Sequence, residues 1–146
     1  MLLVKTYVDK SPIHGLGVFA AETLPKGTRI WRFVEGFDQF YTPKQFRKLP
    51  KPAREFLKLY GYKVDGEILF PGDYDRHINH SDNPNTVLHD GYVITSRRIA
   101  KGTEITNDYS EFDATLCAAF LKEKKEKKKD KKKNAKKKAK KKARRK

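Results

Sequence analysis

Apolar residues in this chain come in short runs broken by glycine, proline and aspartate clusters, the pattern of many short strands rather than of long helices. Leu2-Leu3-Val4-Lys5-Thr6-Tyr7-Val8 predicts a strand, and Val18-Phe19-Ala20 resumes the apolar character after the break Ser11-Pro12-Ile13-His14-Gly15-Leu16-Gly17. Two strands joined by a glycine loop is the simplest reading. Pro25-Lys26-Gly27-Thr28 predicts a turn and Arg29 to Val34 a further strand. Thr42-Pro43-Lys44-Gln45 has the form of a helix start: a capping hydroxyl, proline at the first helical position, and glutamine three residues after the cap. A second helix is expected over Pro52 to Tyr60, with Phe56, Leu59 and Tyr60 on one face and Gly61 as its stop.

Beyond the helices the pattern returns to strands: Tyr62 to Val64, the turn Asp65-Gly66, and Glu67 to Phe70. Asp90-Gly91, between Thr86 to His89 and Tyr92 to Ser96, is a strong hairpin signal, because a two-residue type I′ turn requires positive φ at both central positions. The turn Lys101-Gly102 leads to a strand over Glu104 to Asn107. Phe112, Leu116 and Phe120 recur every fourth residue with Leu121 alongside, predicting an amphipathic helix from near Ser110. The sum is a β-rich α+β domain with a small helical insert and a terminal helix.

Charge changes this picture only at the end of the chain. The 146 residues carry a net charge of +16, yet residues 1 to 121 hold 16 Lys/Arg against 15 Asp/Glu, and residues 122 to 146 hold 18 against 3. The chain therefore divides into a nearly neutral domain, 1–121, and a Lys/Ala-rich tail, 122–146. The tail repels itself and is expected to be disordered. It contains no aromatic residue, so nucleic acid would be held through phosphates alone. It reads as a tether to an anionic polymer or as a solvated tail. One cysteine, Cys117, permits neither an intramolecular disulfide nor a cysteine-based zinc cluster. With no secretory h-region and no 18-residue apolar run, a soluble protein of a reducing, cytoplasmic compartment is expected, nucleoid- or chromatin-associated through its tail.

Three segments carry candidate chemistry. In His14-Gly15-Leu16-Gly17-Val18-Phe19 the paired glycines let a ligand approach the backbone, or simply form a tight turn between strands. Arg76-His77-Ile78-Asn79-His80-Ser81-Asp82-Asn83-Pro84-Asn85 is dense in polar side chains around one core-like isoleucine. His77, His80 and His89 lack the ligand count and spacing of a zinc site, so no metal is expected. Gly102-Thr103-Glu104-Ile105-Thr106-Asn107-Asp108-Tyr109 is a turn and strand ending in an acid and a tyrosine.

In that order and spacing the three segments resemble the SET-domain family of S-adenosylmethionine-dependent protein-lysine methyltransferases, over about residues 3 to 113. The likeness is to short bacterial- or viral-type members without the three-cysteine zinc module. It implies a fold of short β-sheets in which the Asn-His-Ser segment and the C-terminal segment form a pseudoknot. It implies that Gly15, Leu16 and Gly17 cradle the methionine part of the cofactor, that Asn79 bonds its polar end, and that His80 meets the adenine through its backbone. His77, where the family usually has phenylalanine, falls on the adenine side. Tyr109 would lie beside the sulfonium as the catalytic residue and part of the cofactor site, with Asp108 structural. Asn107 takes the position where many members carry the aromatic that limits methyl number. The face of Phe112, Leu116 and Phe120 either closes the substrate channel or packs back on the sheet. The implied activity is methyl transfer to a lysine of a basic protein, histone-like or the chain's own tail. The rival is a catalytically weak SET fold that docks on nucleic acid or chromatin through the tail.

Overall fold

The computed structural model describes residues 1–64 and 66–112. Asp65, Cys117, Leu116, Phe120, Leu121 and the tail 122–146 lie outside the described residues, and with them the expected continuation of the terminal helix.

Ten short strands form three small sheets. In the first, β1 (Thr6–Lys10) pairs antiparallel with β2 (Leu16–Ala20), as the glycine loop between them predicts. On the other edge of β2 comes β10 (Glu104–Asn107), and beyond it β7 (Asn79–His80). The second sheet orders β3 (Arg29–Arg32), β9 (Tyr92–Thr95) and β8 (Thr86–His89). The β8–β9 hairpin turns on Asp90 at φ +47° and Gly91 at φ +77°, the type I′ geometry expected from the Asp-Gly pair. The third sheet has β6 (Glu67–Phe70) between β4 (Gln39–Tyr41) and β5 (Tyr62–Val64).

Two helices precede β5. At the start of α1 (Pro43–Lys48) the Thr42 hydroxyl accepts from the Gln45 N–H at 3.2 Å, and the Gln45 side chain accepts from the Thr42 N–H at 2.9 Å, the reciprocal box read from the sequence. α2 (Lys51–Tyr60) differs from expectation in its buried face. Leu57 is the residue it buries, while Phe56 and Leu59 are 47% and 69% exposed. Gly61 ends the helix at φ −99°, so the stop comes from the chain's turn into β5 and not from a left-handed cap.

The first strand also begins later than its apolar run, at Thr6. Leu2 and Leu3 leave β1 and pair instead with Trp31 and Ile30 of β3, closing the second sheet. β3 in turn stops at Arg32, short of Val34. Val18, Ile30, Trp31, Leu69, Ile78, Val93, Ile99 and Ile105 are buried between the three sheets as one core. Ile78 is fully buried, as its place among polar neighbours predicts. Among the described residues no helix is long and apolar enough to cross a membrane.

Candidate active site

β10 assembles the site. Its first half pairs with β2 through Glu104↔Phe19 and Ile105↔Val18, and its second half runs parallel to β7 through Thr106↔Asn79 and Asn107↔His80. That insertion brings the glycine loop, the Asn-His-Ser segment and Tyr109 together from three distant stretches of chain.

The glycine loop is fixed from inside. Gly15 adopts φ +51°, and its carbonyl accepts from the Ser11 N–H at 3.0 Å. Leu16 is half-exposed and Gly17 is buried. A Cβ on Gly17 would overlap the Glu104 carboxylate outright, standing 2.8 Å from its Cδ, so the second glycine is required by a close approach. Asn79 secures the loop from the other side: its side-chain amide donates to the carbonyls of His14 at 3.1 Å and Leu16 at 3.0 Å and to Glu104 Oε1 at 2.8 Å. Glu104 also accepts from the Ser11 hydroxyl at 2.8 and 3.0 Å. With its hydrogens shared among these acceptors, Asn79 has its carbonyl oxygen to offer a ligand.

Tyr109 opens α3 (Tyr109–Glu111), and its hydroxyl donates to the Ile78 carbonyl at 2.7 Å. Its ring meets Tyr62 edge-on at 5.9 Å and the His80 ring at 5.4 Å. Burial, with the carboxyl of Asp75 as the next cause, raises the phenol above its ordinary value of 10.0, so it is neutral at physiological pH. The Tyr109 N–H donates to His80 Nδ1 at 3.3 Å, which assigns the ring proton to Nε2, 3.2 Å from Asp82. Asp108 caps α3 through the Ser110 N–H at 2.9 Å and takes the Ser110 hydroxyl at 2.7 Å. These two bonds lower its carboxyl below the ordinary value, consistent with a structural role.

Of the residues predicted from sequence, Gly15, Leu16, Gly17, Asn79, His80 and Tyr109 converge through these contacts. His77 stands apart, on the 3-10 turn Tyr74–His77, with its ring against Tyr60 at 5.4 Å; burial and then Arg76 lower its imidazole from 6.5. Tyr60 nevertheless lines a cleft of about 300 Å³ that also takes in Tyr109, Tyr62, Lys58, Lys63 and Arg76. Asn107 is buried and held by the Thr86 hydroxyl at 2.5 Å. Sequence reading missed Glu104, Ser11 and the cleft's cations. A carboxylate opening a strand otherwise made of Ile105, Thr106 and Asn107 was the available signal for Glu104. Nothing in the pattern of Lys58 and Lys63 sets them apart from other surface lysines.

The family model for the SET domain matches residues 15–110. The chain is 30% identical to histone-lysine N-methyltransferase 2D of Homo sapiens over 119 residues, an alignment that covers 73% of this chain and 2% of that protein, and the Mus musculus protein of the same name matches equally. It thus spans about 2% of the length of the curated relatives it matches. Among solved structures, a Plasmodium falciparum protein assigned as a histone methyltransferase superposes with a TM-score of 0.53 at 27% identity, covering 74% of this chain and 95% of that one. The Chaetomium thermophilum Polycomb Repressive Complex 2, in a humanized mutant bound to the inhibitor GSK126, superposes with a TM-score of 0.56 at 18% identity, over 77% of this chain and 16% of that one, a likeness of fold alone. The matched span begins at the first glycine of the loop and ends one residue after Tyr109, so it takes in Gly15, Leu16, Gly17, Asn79, His80, Glu104 and Tyr109: the chain belongs to the SET-domain family.

Proposed function

We propose that the chain is a protein-lysine N-methyltransferase that uses S-adenosylmethionine. The observation that carries this reading is the junction at β10, which brings together the buttressed glycine loop, Asn79 and Tyr109, the last of which also lines the cation-bearing cleft. The residues present fit that cofactor. Asn79 has an acceptor for its ammonium, Gly15 and Gly17 give its methionine end a close backbone, and Lys58, Lys63 and Arg76 supply counter-charge for its carboxylate. Tyr60 and His77 add aromatic surface, and the His80 backbone is the remaining contact expected on the adenine side.

When bound, the cofactor supplies an electrophilic methyl group on a positive sulfur. A lysine amine, with a reference pKa near 10.4, attacks only when neutral, and a site holding the cofactor's positive sulfur would favour that form by like charge. Tyr109 acts by orientation. Its proton is committed to the Ile78 carbonyl, so the oxygen presents lone pairs to the polarised methyl, and its raised pKa keeps it from competing as a nucleophile. No general base is needed in this scheme.

The substrate class is a basic protein, histone-like or the chain's own tail, and residues 122–146 tether the enzyme to nucleic acid by charge. Mass spectrometry of the full chain incubated with labelled S-adenosylmethionine, alone and with basic proteins, tests the activity. Methyl groups should appear on lysine, and Tyr109→Phe should lower turnover severely while leaving cofactor affinity within about threefold, the signature of an interaction made in the transition state. Wild-type turnover from Tyr109→Phe would remove Tyr109 from the mechanism. Absence of transfer by the wild-type chain to its tail and to every basic protein offered would favour the docking-module reading.

A further inference from the structure

Three carboxylates gather around the turn that carries Arg76, and two of them are satisfied. Asp38 holds the Met1 ammonium at 2.9 Å and the N–H groups of Val34 and Gly72 at 2.8 and 2.9 Å. Asp73 accepts from the N–H groups of Leu2 at 2.5 Å and Asp75 at 3.1 Å. Asp75 is only 1% exposed, and neither oxygen of its side chain has a hydrogen-bond partner among the described residues. A carboxyl in that setting keeps its proton, because an unpaired buried charge is far costlier than the neutral acid. Burial first, then the negative charge of Asp73, pushes it up to about 8.

Asp75 is also wired to the site by its backbone. Its carbonyl accepts from the Tyr62 hydroxyl at 3.1 Å and from the Ile78 N–H at 2.9 Å. Tyr62 packs edge-on against Tyr109, and the Ile78 carbonyl receives the Tyr109 hydroxyl. The charge of Asp75 is felt at both phenols, raising Tyr62 well above its ordinary value after burial and raising Tyr109 likewise. The titratable and charged groups facing it are Asp73 on its own turn, Asp38 from the loop after β3, the Met1 ammonium, Tyr62 of β5 and Tyr109 of α3. β2, which also packs on this turn, brings no titratable side chain over Leu16–Ala20.

We propose that Asp75 is a positioning acid whose ionisation strengthens the site's preference for the cationic cofactor over its uncharged product: neutral, it adds nothing to that preference, and as a carboxylate it favours the sulfonium. The proposal rests on the cofactor reading above. Loss of the methyl group converts a sulfonium into a thioether, so the two ligands differ by one charge at the sulfur while sharing every other group. Their affinity ratio therefore cancels titrations that act on the shared parts. It isolates a charge that acts on the sulfur.

Calorimetry of the full chain with S-adenosylmethionine and with S-adenosylhomocysteine, from pH 6.5 to 9.5, reads that ratio directly. In the wild type the preference for the sulfonium should rise roughly five- to tenfold across the range, the scale of one unit charge acting through a partly shielded site. In Asp75→Asn, which keeps the shape of the neutral acid, the ratio should stay flat, although Met1, Tyr62, Tyr109, Asp38 and Asp73 remain. A carboxyl carbon shift measured by NMR on the unmutated chain should place the Asp75 titration well above the ordinary aspartate range. Equal pH dependence in wild type and Asp75→Asn, a flat ratio in both, or a carboxyl titrating near pH 4 would each overturn the role. A chain that binds neither ligand at any pH would overturn the cofactor reading and the role with it.

Discussion

The two glycines of the loop are needed for opposite reasons, and that difference is measurable. In Gly17→Ala the new methyl collides with Glu104, whose carboxylate cannot swing aside freely because Ser11 and Asn79 hold it at 2.8 to 3.0 Å. Hydrogen bonds to charged groups contribute about 1.5 to 3 kcal/mol each, so displacing Glu104 from both partners costs roughly 3 to 6 kcal/mol. Lower chain entropy for alanine returns about 0.5 to 1 kcal/mol, leaving a net loss on the order of 3 kcal/mol. Gly15→Ala meets nothing within 4 Å, and its penalty is the left-handed backbone alone, about 1 to 2 kcal/mol before the same entropic offset. Equilibrium unfolding in urea should therefore rank Gly17→Ala as the more destabilising by roughly 2 kcal/mol. The decisive control is Glu104→Ala. Once the carboxylate is gone, adding Gly17→Ala should cost far less than it does in the wild type, the remaining neighbour being the Ser11 Cβ at 3.0 Å, a strong non-additivity between contacting residues. Additive losses in the double variant, or equal losses for the two glycines, would show that Glu104 is not what excludes a side chain at position 17.

Three other perturbations follow from the same geometry. Asn79→Ala strips the shared donor from His14, Leu16 and Glu104 and the acceptor from the ligand, and should weaken cofactor binding roughly 5- to 150-fold by calorimetry, the range for leaving a partly buried polar group unpaired. For Asp75 the folded chain retains a proton that the unfolded chain releases above its ordinary value of 3.8, so wild-type stability falls as pH rises towards about 8. The stability difference in favour of Asp75→Asn should thus widen by at most about 1.4 kcal/mol per pH unit between pH 5 and 8 and level off above, as measured by unfolding at a series of pH values. Deleting residues 122 to 146 removes 18 Lys/Arg and 3 Asp/Glu, and should abolish salt-sensitive, sequence-independent binding to duplex DNA while leaving transfer to a short lysine peptide intact. Equal DNA affinity with and without those residues would dismiss the tether.

What was legible in the sequence was what short stretches decide for themselves. Asp90-Gly91 sets its own turn and Thr42 with Gln45 its own helix start, whatever surrounds them. The buried face of α2 was not legible. Phe56 and Leu59 are as apolar as Leu57, and which of them is covered depends on where β6 lies against the helix. Leu2 and Leu3 read as the start of β1 for the same reason, since nothing local announces that Trp31 and Ile30 will claim them. At the site, the order of the three motifs named the segments that β10 brings together, but Glu104 and Asp75 owe their surroundings to neighbours far along the chain. Their chemistry exists only once those neighbours arrive.

The arrangement of the first sheet also bears on how the protein comes into being. β10, which stands between β2 and β7, is the last strand among the described residues, and Ile105 must find Val18 across most of the chain. Contacts so distant in sequence are slow to close, because their entropy cost is met before any reward. Until Glu104–Asn107 has been synthesised, β2 and β7 each present a bare edge to the ribosome-bound chain, open to pairing with another copy. A chain that stops short of that strand would lack the junction that joins the glycine loop to the Asn-His-Ser segment and would leave two strand edges unpaired. A ligand that stabilises the junction at β10 would favour the folded chain over such pairing, because whatever binds only the folded state shifts the equilibrium towards it.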